Sequence, residues 1–209
     1  MEKWRIVVRR LQKRVPLLPT DPASAARKIL EICGQWPALP ILDFETTGLE
    51  HPAVIEVAVV GPHGVLYDSL VRPDRPMDVQ ANAVHQIPAK ALANMAPWPV
   101  HVAHIQAILD EHDAVALGTW SGFEADVLAW EANRGAPMLR VQLIDLKRLY
   151  AALHGIPIPP DGGRIRGASL WRACDRYGVP QGTHRARQDC EATLGVWSAM
   201  QAEARHQLC

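Results

Sequence analysis

The sequence predicts an α/β protein built on a five-stranded mixed β-sheet with helices on its faces. Three β-type runs follow one another closely between residues 39 and 71, and beyond residue 98 strand-type runs alternate with helix-type runs. Consecutive strands pair as antiparallel neighbours, whereas strands joined by helices usually lie parallel, so the two patterns together indicate a mixed sheet. The 209 residues, 48% of them hydrophobic, suffice for one domain with a short appendage.

The first half of the chain supplies one helix and three strands. Asp21 before Pro22 predicts a helix start, because Asp caps a helix and Pro fits its first turn, and the apolar stripe that follows ends near Gly34. Apolar and β-branched runs predict strands at 39–44, 53–60 and 64–71, and a tight turn at 61–64 joins the last two. The proline-rich stretch 72–98 predicts a surface loop with short helices.

The second half alternates between helices and strands. Helical spacing or length predicts helices at 100–109, 123–132 and 145–153, and two closing helices near 168–177 and 184–204. Short apolar runs predict the fourth and fifth strands at 113–117 and 139–144. We expect residues 1–35 to form a basic N-terminal extension with one helix, followed by a single domain at 36–209.

Composition excludes several classes of protein. No run of 18 apolar residues exists, so we expect no membrane span, and the charged N-terminus lacks a signal-peptide core. The four cysteines are scattered without a C-x-x-C pair, which argues against a zinc cluster or a disulfide scaffold and favours a reducing, cytoplasmic location.

Charge is balanced overall but unevenly placed. The chain has 22 basic and 22 acidic residues, yet residues 1–14 carry six basic residues against one acidic residue, or +5. The remaining 195 residues therefore carry −5. The basic segment has three open interpretations: a nucleic-acid contact, a solvated arm, or a helix that binds a partner.

The first motif with chemical meaning is D-F-E-T-T-G-L at residues 43–49. In a strand, residues two apart point to the same face, so Asp43 and Glu45 project together while Phe44 points to the opposite side. Two adjacent carboxylates repel each other and are costly to desolvate, and a divalent cation removes both penalties. The alternative is a pair of exposed acids at a strand end.

The second motif is H-R-A-R-Q-D at residues 184–189. His184 and Asp189, five apart, do not share one face of a straight helix. They can converge if His184 lies in the loop or the first turn, released by Gly182. By itself this pattern is also compatible with a solvated helix start.

Together the two motifs resemble the DEDDh family of 3′→5′ exonucleases, whose first motif reads D-x-E-T-T-G-L and whose last reads H-R-A-x-x-D. Residues 54–59 are similar to the family's second strand, and 83–87 to its V-H-G-I segment, with Gln86 in place of Gly. The resemblance covers about residues 38–204 in the expected order. It implies the RNase H-like fold, a five-stranded mixed sheet flanked by helices.

The middle motif departs from the family pattern. The family has H-N-x-x-F-D-x-x-x-L, whereas residues 119–128 read T-W-S-G-F-E-A-D-V-L, so Glu124 stands at the position of the metal-binding Asp. Trp120 takes the Asn position and, like the other tryptophans, is either a core residue or a platform for base stacking. Asp126 is a rival for the fourth ligand. Helical angle does not separate the two acids, and position in the frame favours Glu124.

The resemblance implies hydrolysis of the phosphodiester at a 3′ end of single-stranded DNA or RNA, releasing nucleoside 5′-monophosphates with two Mg²⁺ or Mn²⁺ ions. Asp43 would bridge both ions, Glu45 and Asp189 would hold the ion beside the attacking water, and Glu124 would serve the second. His184 would be the general base, because histidine exchanges protons near neutral pH. The resemblance also points to two contacts with the terminal nucleotide, Thr46 and His85.

Two alternatives remain open at this point. The altered middle motif is compatible with a catalytically weak module that binds nucleic-acid ends or accompanies a DNA polymerase. An RNA-trimming exoribonuclease is equally compatible, because nothing in the sequence identifies a group that reads the 2′-hydroxyl.

Overall fold

The computed structural model describes residues 19–160 and 163–209, so the basic segment 1–14 and the interpretations of it lie outside the described residues. A five-stranded sheet forms the centre of the molecule, in the order β3-β2-β1-β4-β5. Its strands are β1 (Ile41–Thr46), β2 (Val54–Gly61), β3 (Gly64–Leu70), β4 (Ala116–Thr119) and β5 (Gln142–Asp145). β1 pairs antiparallel with β2 and parallel with β4, which confirms the predicted mixed sheet.

Helices connect and cover the strands. They are α1 (Pro22–Gln35), α2 (Val79–His85), α3 (Ala89–Leu92), α4 (Trp98–Glu111), α5 (Phe123–Asn133), α6 (Leu146–Leu153), α7 (Leu170–Tyr177) and α8 (Ala186–Leu208). Asp21 caps α1 by accepting the backbone N–H of Ser24 at 2.9 Å, as its position before Pro22 predicts. No helix within the described residues has the length and hydropathy to cross a bilayer.

The alternation of side chains in β1 assigns the two faces of the sheet. Leu42 and Phe44 are buried on the face that α4 and α5 cover, and Phe44 meets Trp98 edge-on at 5.4 Å between ring centroids. Ile41 belongs to the core on the other face, which α1, α6, α7 and α8 cover. Asp43 and Glu45 continue that second face, so both carboxylates lie under the start of α8.

α1 packs into the same core as the sheet. Its fully buried residues Ala25, Ala26 and Ile29 share a cluster with α6 and α8. The helix of the expected N-terminal extension therefore contributes apolar area to the domain that follows it, and the boundary at residues 35–36 stays a prediction.

Two strands begin later than the sequence predicts. The pattern predicts β4 from residue 113, but Asp113 has a left-handed backbone (φ 50°) and the N–H of Ala114 bonds to Leu109 O, which closes α4. Pairing with β5 therefore starts at Ala116, and β4 pairs with β1 at Gly118. β5 likewise starts at Gln142, where its N–H bonds to Val115 O.

Gly118 in β4 lies in close contact with α6 and with the neighbouring strand β1. A Cβ at this position would lie 2.8 Å from Ile41 Cδ1 and 3.0 Å from Leu146 Cδ1. We expect Gly118→Ala to lower the free energy of unfolding by about 1–3 kcal/mol, because the core must shift to admit a methyl group. Urea denaturation measures this change.

Gly34 provides the matched control. It lies in the last turn of α1 with no atom within 4 Å of an added Cβ, so Gly34→Ala should be neutral or stabilise by about 0.5–1 kcal/mol. Equal destabilisation by the two substitutions would contradict the close approach at Gly118.

Candidate active site

Three carboxylates converge where β1 ends beneath the first turn of α8. One oxygen from each of Asp43, Glu45 and Asp189 lies within 4.8 Å of the others. The first two come from the same face of β1, and Asp189 comes from α8. The first and last predicted motifs, about 140 residues apart in sequence, thus meet in space.

Glu124 joins this cluster, whereas Asp126 does not. Glu124 is 4% exposed at the start of α5, and its repulsion is the largest charge effect on Asp43. The Ser121 hydroxyl donates to Glu124 Oε2 at 3.0 Å and accepts the N–H of Phe123, which fixes the carboxylate. Asp126 is exposed, and no neighbouring charge affects its pKa. Glu124 and Asp126 therefore lie in different environments, buried and exposed, although their angles on the helix do not distinguish them in the sequence.

Burial and mutual repulsion raise the pKa values of the cluster. Desolvation raises the pKa of Glu45 to about 8, with repulsion from Asp189 adding to it. Desolvation raises the pKa of Glu124 to about 7 against the opposing hydrogen bonds from backbone N–H groups and Ser121. The pKa values of Asp43 and Asp189 are also raised, chiefly by burial. Without a counter-charge the cluster therefore holds protons at neutral pH.

The loop before α8 presents His184 beside Asp189. His184 is exposed and has a left-handed backbone (φ 56°). Burial raises the pKa of Asp189, and the nearby imidazole and backbone N–H of His184 act in the opposite direction. Gly182 makes this geometry possible, because a Cβ there would lie 1.7 Å from Asp189 Oδ1. His184 therefore lies in the loop, two residues before α8, whereas the sequence predicts the helix from residue 184.

An ion pair that the sequence does not predict holds this loop to the sheet. Glu56 of β2, 3% exposed, accepts Arg185 Nε at 3.0 and 3.1 Å and the N–H of Ala186 at 2.9 Å. Glu56 also stands directly across the sheet from Glu45. Arg185 thus neutralises one carboxylate of a crowded pair and fixes the start of α8. The only sequence signal was a charged residue inside an otherwise apolar strand.

A second missed carboxylate is Asp145 at the end of β5. It caps α6 by accepting the N–H of Arg148 at 3.0 Å, and desolvation raises its pKa to about 6. It also raises the pKa of Glu124, and its Oδ2 would lie 3.8 Å from a Cβ at Gly122. Asp145 therefore borders the cluster behind Glu124. Its position between a strand and a helix, a common capping position, concealed this in the sequence.

The remaining candidates occupy different surroundings. Thr46 is nearly buried and donates its hydroxyl to Gly48 O at 2.9 Å, beside Leu49, which is 82% exposed. His85, 3% exposed, accepts the N–H of Ile87 through Nδ1, and its buried Nε2 has no partner among the described residues. Trp120 is buried against Tyr150, so its ring is not available for base stacking.

Cys190 is a structural thiol beneath the carboxylates. It is fully buried, contacts Ile41 O and Ala58 O at 3.5 Å each, and burial raises its pKa well above the ordinary value. A thiol in this environment is not a nucleophile near neutral pH.

The donor set fits a divalent cation. Carboxylate oxygens are the ligands that Mg²⁺ and Mn²⁺ prefer, and three of them already approach one another closely. A bound cation would offset the repulsion and desolvation that raise the pKa values of Asp43, Glu45 and Glu124.

Comparisons with known proteins agree with this arrangement. The profile of the RNase T family, described as exonuclease, matches residues 41–197. The uncharacterized exonuclease CP81 of Escherichia phage 186 is 24% identical, over 76% of this chain and 86% of the phage protein.

Solved structures share the fold at low identity. The nuclease domain of 3'hExo, a DEDDh family member bound to rAMP, superposes with a TM-score of 0.66 at 14% identity, covering 79% of this chain and 92% of that domain. Exonuclease X in complex with 5′ overhanging duplex DNA gives a TM-score of 0.53 at 24% identity, with coverages of 79% and 92%. A full-length 3′-exonuclease gives 0.65 at 15% identity, with 79% and 60% covered.

The Glu56–Arg185 pair should contribute measurably to the free energy of unfolding. We expect Glu56→Gln to lower the free energy of unfolding by about 1–3 kcal/mol, because it weakens the charge-assisted hydrogen bonds to Arg185. Asp68→Asn is the control: Asp68 is exposed and close enough to Arg185 to influence it, without an ion pair among the described residues. It should change stability by less than about 0.5 kcal/mol. Equal effects of the two substitutions would show that only the general field around Arg185 matters.

The raised pKa values predict how stability depends on pH. Because the folded state holds protons that the unfolded state releases, the cation-free protein should lose stability as pH rises through the pKa values of Glu124, about 7, and Glu45, about 8. Thermal unfolding in EDTA should therefore show Tm falling between pH 6.5 and 8.5, and added Mn²⁺ should raise Tm more at pH 8.5 than at 6.5. A cation-free Tm that rises across this window would contradict the assignment.

Proposed function

The chain belongs to the RNase T family of exonucleases, of the DEDDh type and with the RNase H-like fold, and we propose that it removes nucleotides from the 3′ end of single-stranded nucleic acid, releasing nucleoside 5′-monophosphates. The observation that carries the proposal is the convergence of Asp43, Glu45 and Asp189, with Glu124 behind Asp43. The similarity in fold to a protein described as a 3′-exonuclease supports the 3′→5′ direction.

In the proposed site, Asp43, Glu45 and Asp189 would hold one divalent cation, and Asp43 with Glu124 would hold a second. Two such cations, Mg²⁺ or Mn²⁺, would supply charge stabilisation for the attacking water and for the departing 3′ oxygen. The side chains are held before any ligand arrives: Ser121 orients Glu124, and the Glu56–Arg185 pair fixes the helix that carries Asp189.

His184 is the proposed general base. It is exposed on the loop, beside Asp189, so its imidazole can reach a water that lies over the carboxylates. Thr46 and His85, whose Nε2 has no partner in the described part of the chain, are the proposed contacts to the terminal nucleotide. Leu49, exposed in the same turn as Thr46, offers an apolar surface to the terminal base.

The structure weakens the argument for a catalytically inactive binding module. That alternative depended on the altered middle motif, yet Glu124 is buried beside Asp43 as a fourth carboxylate. An RNA-trimming role and association with a polymerase are distinguished by the substrate used and not by the site. The four cysteines are free, which is compatible with a cytoplasmic location.

The test is hydrolysis of 3′-labelled and 5′-labelled single strands of DNA and RNA with Mn²⁺ or EDTA. We expect labelled mononucleotides at once from the 3′-labelled strand and a ladder of shortened products from the 5′-labelled strand. Asp43→Asn should lower the rate by at least about 10³-fold, because it removes charge from the ligand shared by both cations. Retention of more than a tenth of the wild-type rate would overturn the assignment.

In the same assay His184→Ala should lower the rate by about 10²–10⁴-fold while Mn²⁺ affinity, measured by calorimetry, stays near that of the wild type. Loss of cation binding in that variant would make His184 a ligand instead of a base.

The paired acids of α5 give an internal control. We expect Glu124→Gln to lower kcat/KM by at least about 10²-fold and to weaken Mn²⁺ binding, because Glu124 contributes charge to the cluster. Asp126→Asn, on the exposed side of the same helix turn, should cost less than about fivefold. The reverse pattern would transfer the fourth ligand to Asp126.

A further inference from the structure

The acidic site creates a problem for binding a polyanion. Asp43, Glu45 and Asp189 line the site with Glu124 beside Asp43, and the chain beyond residue 14 carries −5. Affinity for a nucleic-acid strand comes mainly from basic side chains that contact phosphates, so those contacts must lie outside the carboxylate cluster.

Most arginines near the sheet already have acidic partners. Asp74 forms ion pairs with Arg75 and Arg134. The other pairs are Asp110 with Arg140, Glu56 with Arg185, and Glu191 with Arg187. These pairs brace loops and helices, and each leaves little net positive charge for a ligand.

The face formed by α7 and the loop before it is different. Four exposed arginines lie between residues 163 and 178, with Asp175 as the only acid in that stretch, which gives +3. The arginines are Arg164, Arg166, Arg172 and Arg176. None of them forms an ion pair within residues 19–160 and 163–209. We call this stretch the α7 basic face.

Its arginines are neighbours in space. Arg172 and Arg176 are four apart on α7 and therefore share one side of the helix, and both are close enough to Tyr150 to oppose its raised pKa. A guanidinium nitrogen of Arg172 would lie 3.9 Å from a Cβ at Gly167, so the loop that carries Arg164 and Arg166 is adjacent.

Trp171 adds an aromatic ring to this face. Its side chain is 58% exposed at the start of α7, next to Arg172. Exposed aromatic rings beside basic residues are the stacking platforms of single-strand-binding proteins.

The α7 basic face lies close to the catalytic cluster. Cys174, between Arg172 and Arg176 in sequence but on the buried side of α7, is near enough to Asp189 for that carboxylate to raise its pKa. The chain then leaves α7 at Gly178 and reaches His184 six residues later. One helix diameter, about 10 Å, therefore separates the cluster from the arginines, and a strand whose 3′ end lies at Asp43 would reach them by passing over α7.

We propose that the α7 basic face binds the single strand on the 5′ side of its 3′ end, with the arginines contacting phosphates and Trp171 stacking on a base. The proposal rests on the proposed function in taking the substrate strand as the ligand. It implies that long strands are bound by two surfaces and that a dinucleotide is bound only by the carboxylate site.

Binding is tested without catalysis. Fluorescence anisotropy of labelled dT20 and rU20, in the Asp43→Asn background, should show at least tenfold weaker binding when all four arginines are replaced by alanine. The slope of log affinity against log salt should flatten by about 0.7 for each arginine that no longer neutralises a phosphate. Trp171→Ala should weaken binding by about fivefold or more, and Trp171→Phe should restore most of it. If these substitutions weaken binding of dT20 alone, or of rU20 alone, the result would support the proposal and identify the kind of strand that the face prefers.

The matched control is Arg140→Ala. Arg140 is an equally exposed arginine, but it is paired with Asp110 of α4 on the opposite face of the sheet, so its loss should leave oligonucleotide binding within twofold of the parent. Circular dichroism of each variant reports its fold, and the single Trp171 substitutions remain informative if the fourfold variant is unstable.

A rate measurement completes the test in the catalytically intact protein. The ratio of kcat/KM for dT20 to kcat/KM for a dinucleotide should fall about tenfold in the variant with all four arginines replaced. The change should come from a higher KM for dT20. Unchanged anisotropy and an unchanged ratio would overturn the proposal, including the case in which this face serves a protein partner. Because anisotropy requires no hydrolysis, failure of the exonuclease assignment would be seen separately, in the hydrolysis of labelled strands.

Discussion

The ion pair between Glu56 and Arg185 is the interaction on which the site depends. It joins the middle of the sheet to the loop that precedes α8, across 129 residues of sequence, and its glutamate also accepts the first N–H of the helix. A carboxylate at a helix N-terminus is favoured by the helix dipole, and this one is further held by a guanidinium. The buried Glu56 side chain thus has three roles: it pairs with Arg185, it accepts the first N–H of α8, and it places a negative charge at the N-terminus of that helix.

The pair also limits how much negative charge the sheet must carry. Glu45 and Glu56 stand opposite each other on adjacent strands, where like charges destabilise a sheet. Arg185 lowers the pKa of Glu45 while burial and the remaining acids raise it. One carboxylate is therefore neutralised by the protein itself, and the others are left with raised pKa values that a divalent cation would reverse. Burial of these carboxylates and the repulsion between them remain unfavourable in the folded protein, and Arg185 offsets them only in part.

The sequence predicted the elements that depend on local patterns. Strand alternation placed Asp43 and Glu45 on one face and Phe44 in the opposite core, and the Asp21–Pro22 cap marked the start of α1. What it could not predict were the features that depend on distant partners. Glu56 reads as a lone charge in an apolar strand until Arg185 is beside it, and Asp145 reads as an ordinary cap until Glu124 packs behind it.

Glu124 and Asp126 illustrate what the local sequence pattern cannot predict. Both acids lie in the first turn of α5, and the hydrophobic pattern of that helix does not distinguish them. The difference comes from Ser121, whose hydroxyl binds both the helix start and Glu124, and from the sheet beneath it. A family motif can supply the position, because it records the outcome of such packing. Burial supplies the physical reason.

Positive and negative charge are separated on the surface of the protein. A site made of carboxylates suits cations, but it repels a polyanionic strand. The α7 basic face lies on the outer side of the helix whose inner side packs beside Asp189, so the proposed strand binding and the proposed hydrolysis would occupy opposite sides of one short helix. In such an arrangement affinity and rate can vary independently. Exposed arginines can change without disturbing the core, whereas the carboxylates are fixed by the strand register and by Arg185.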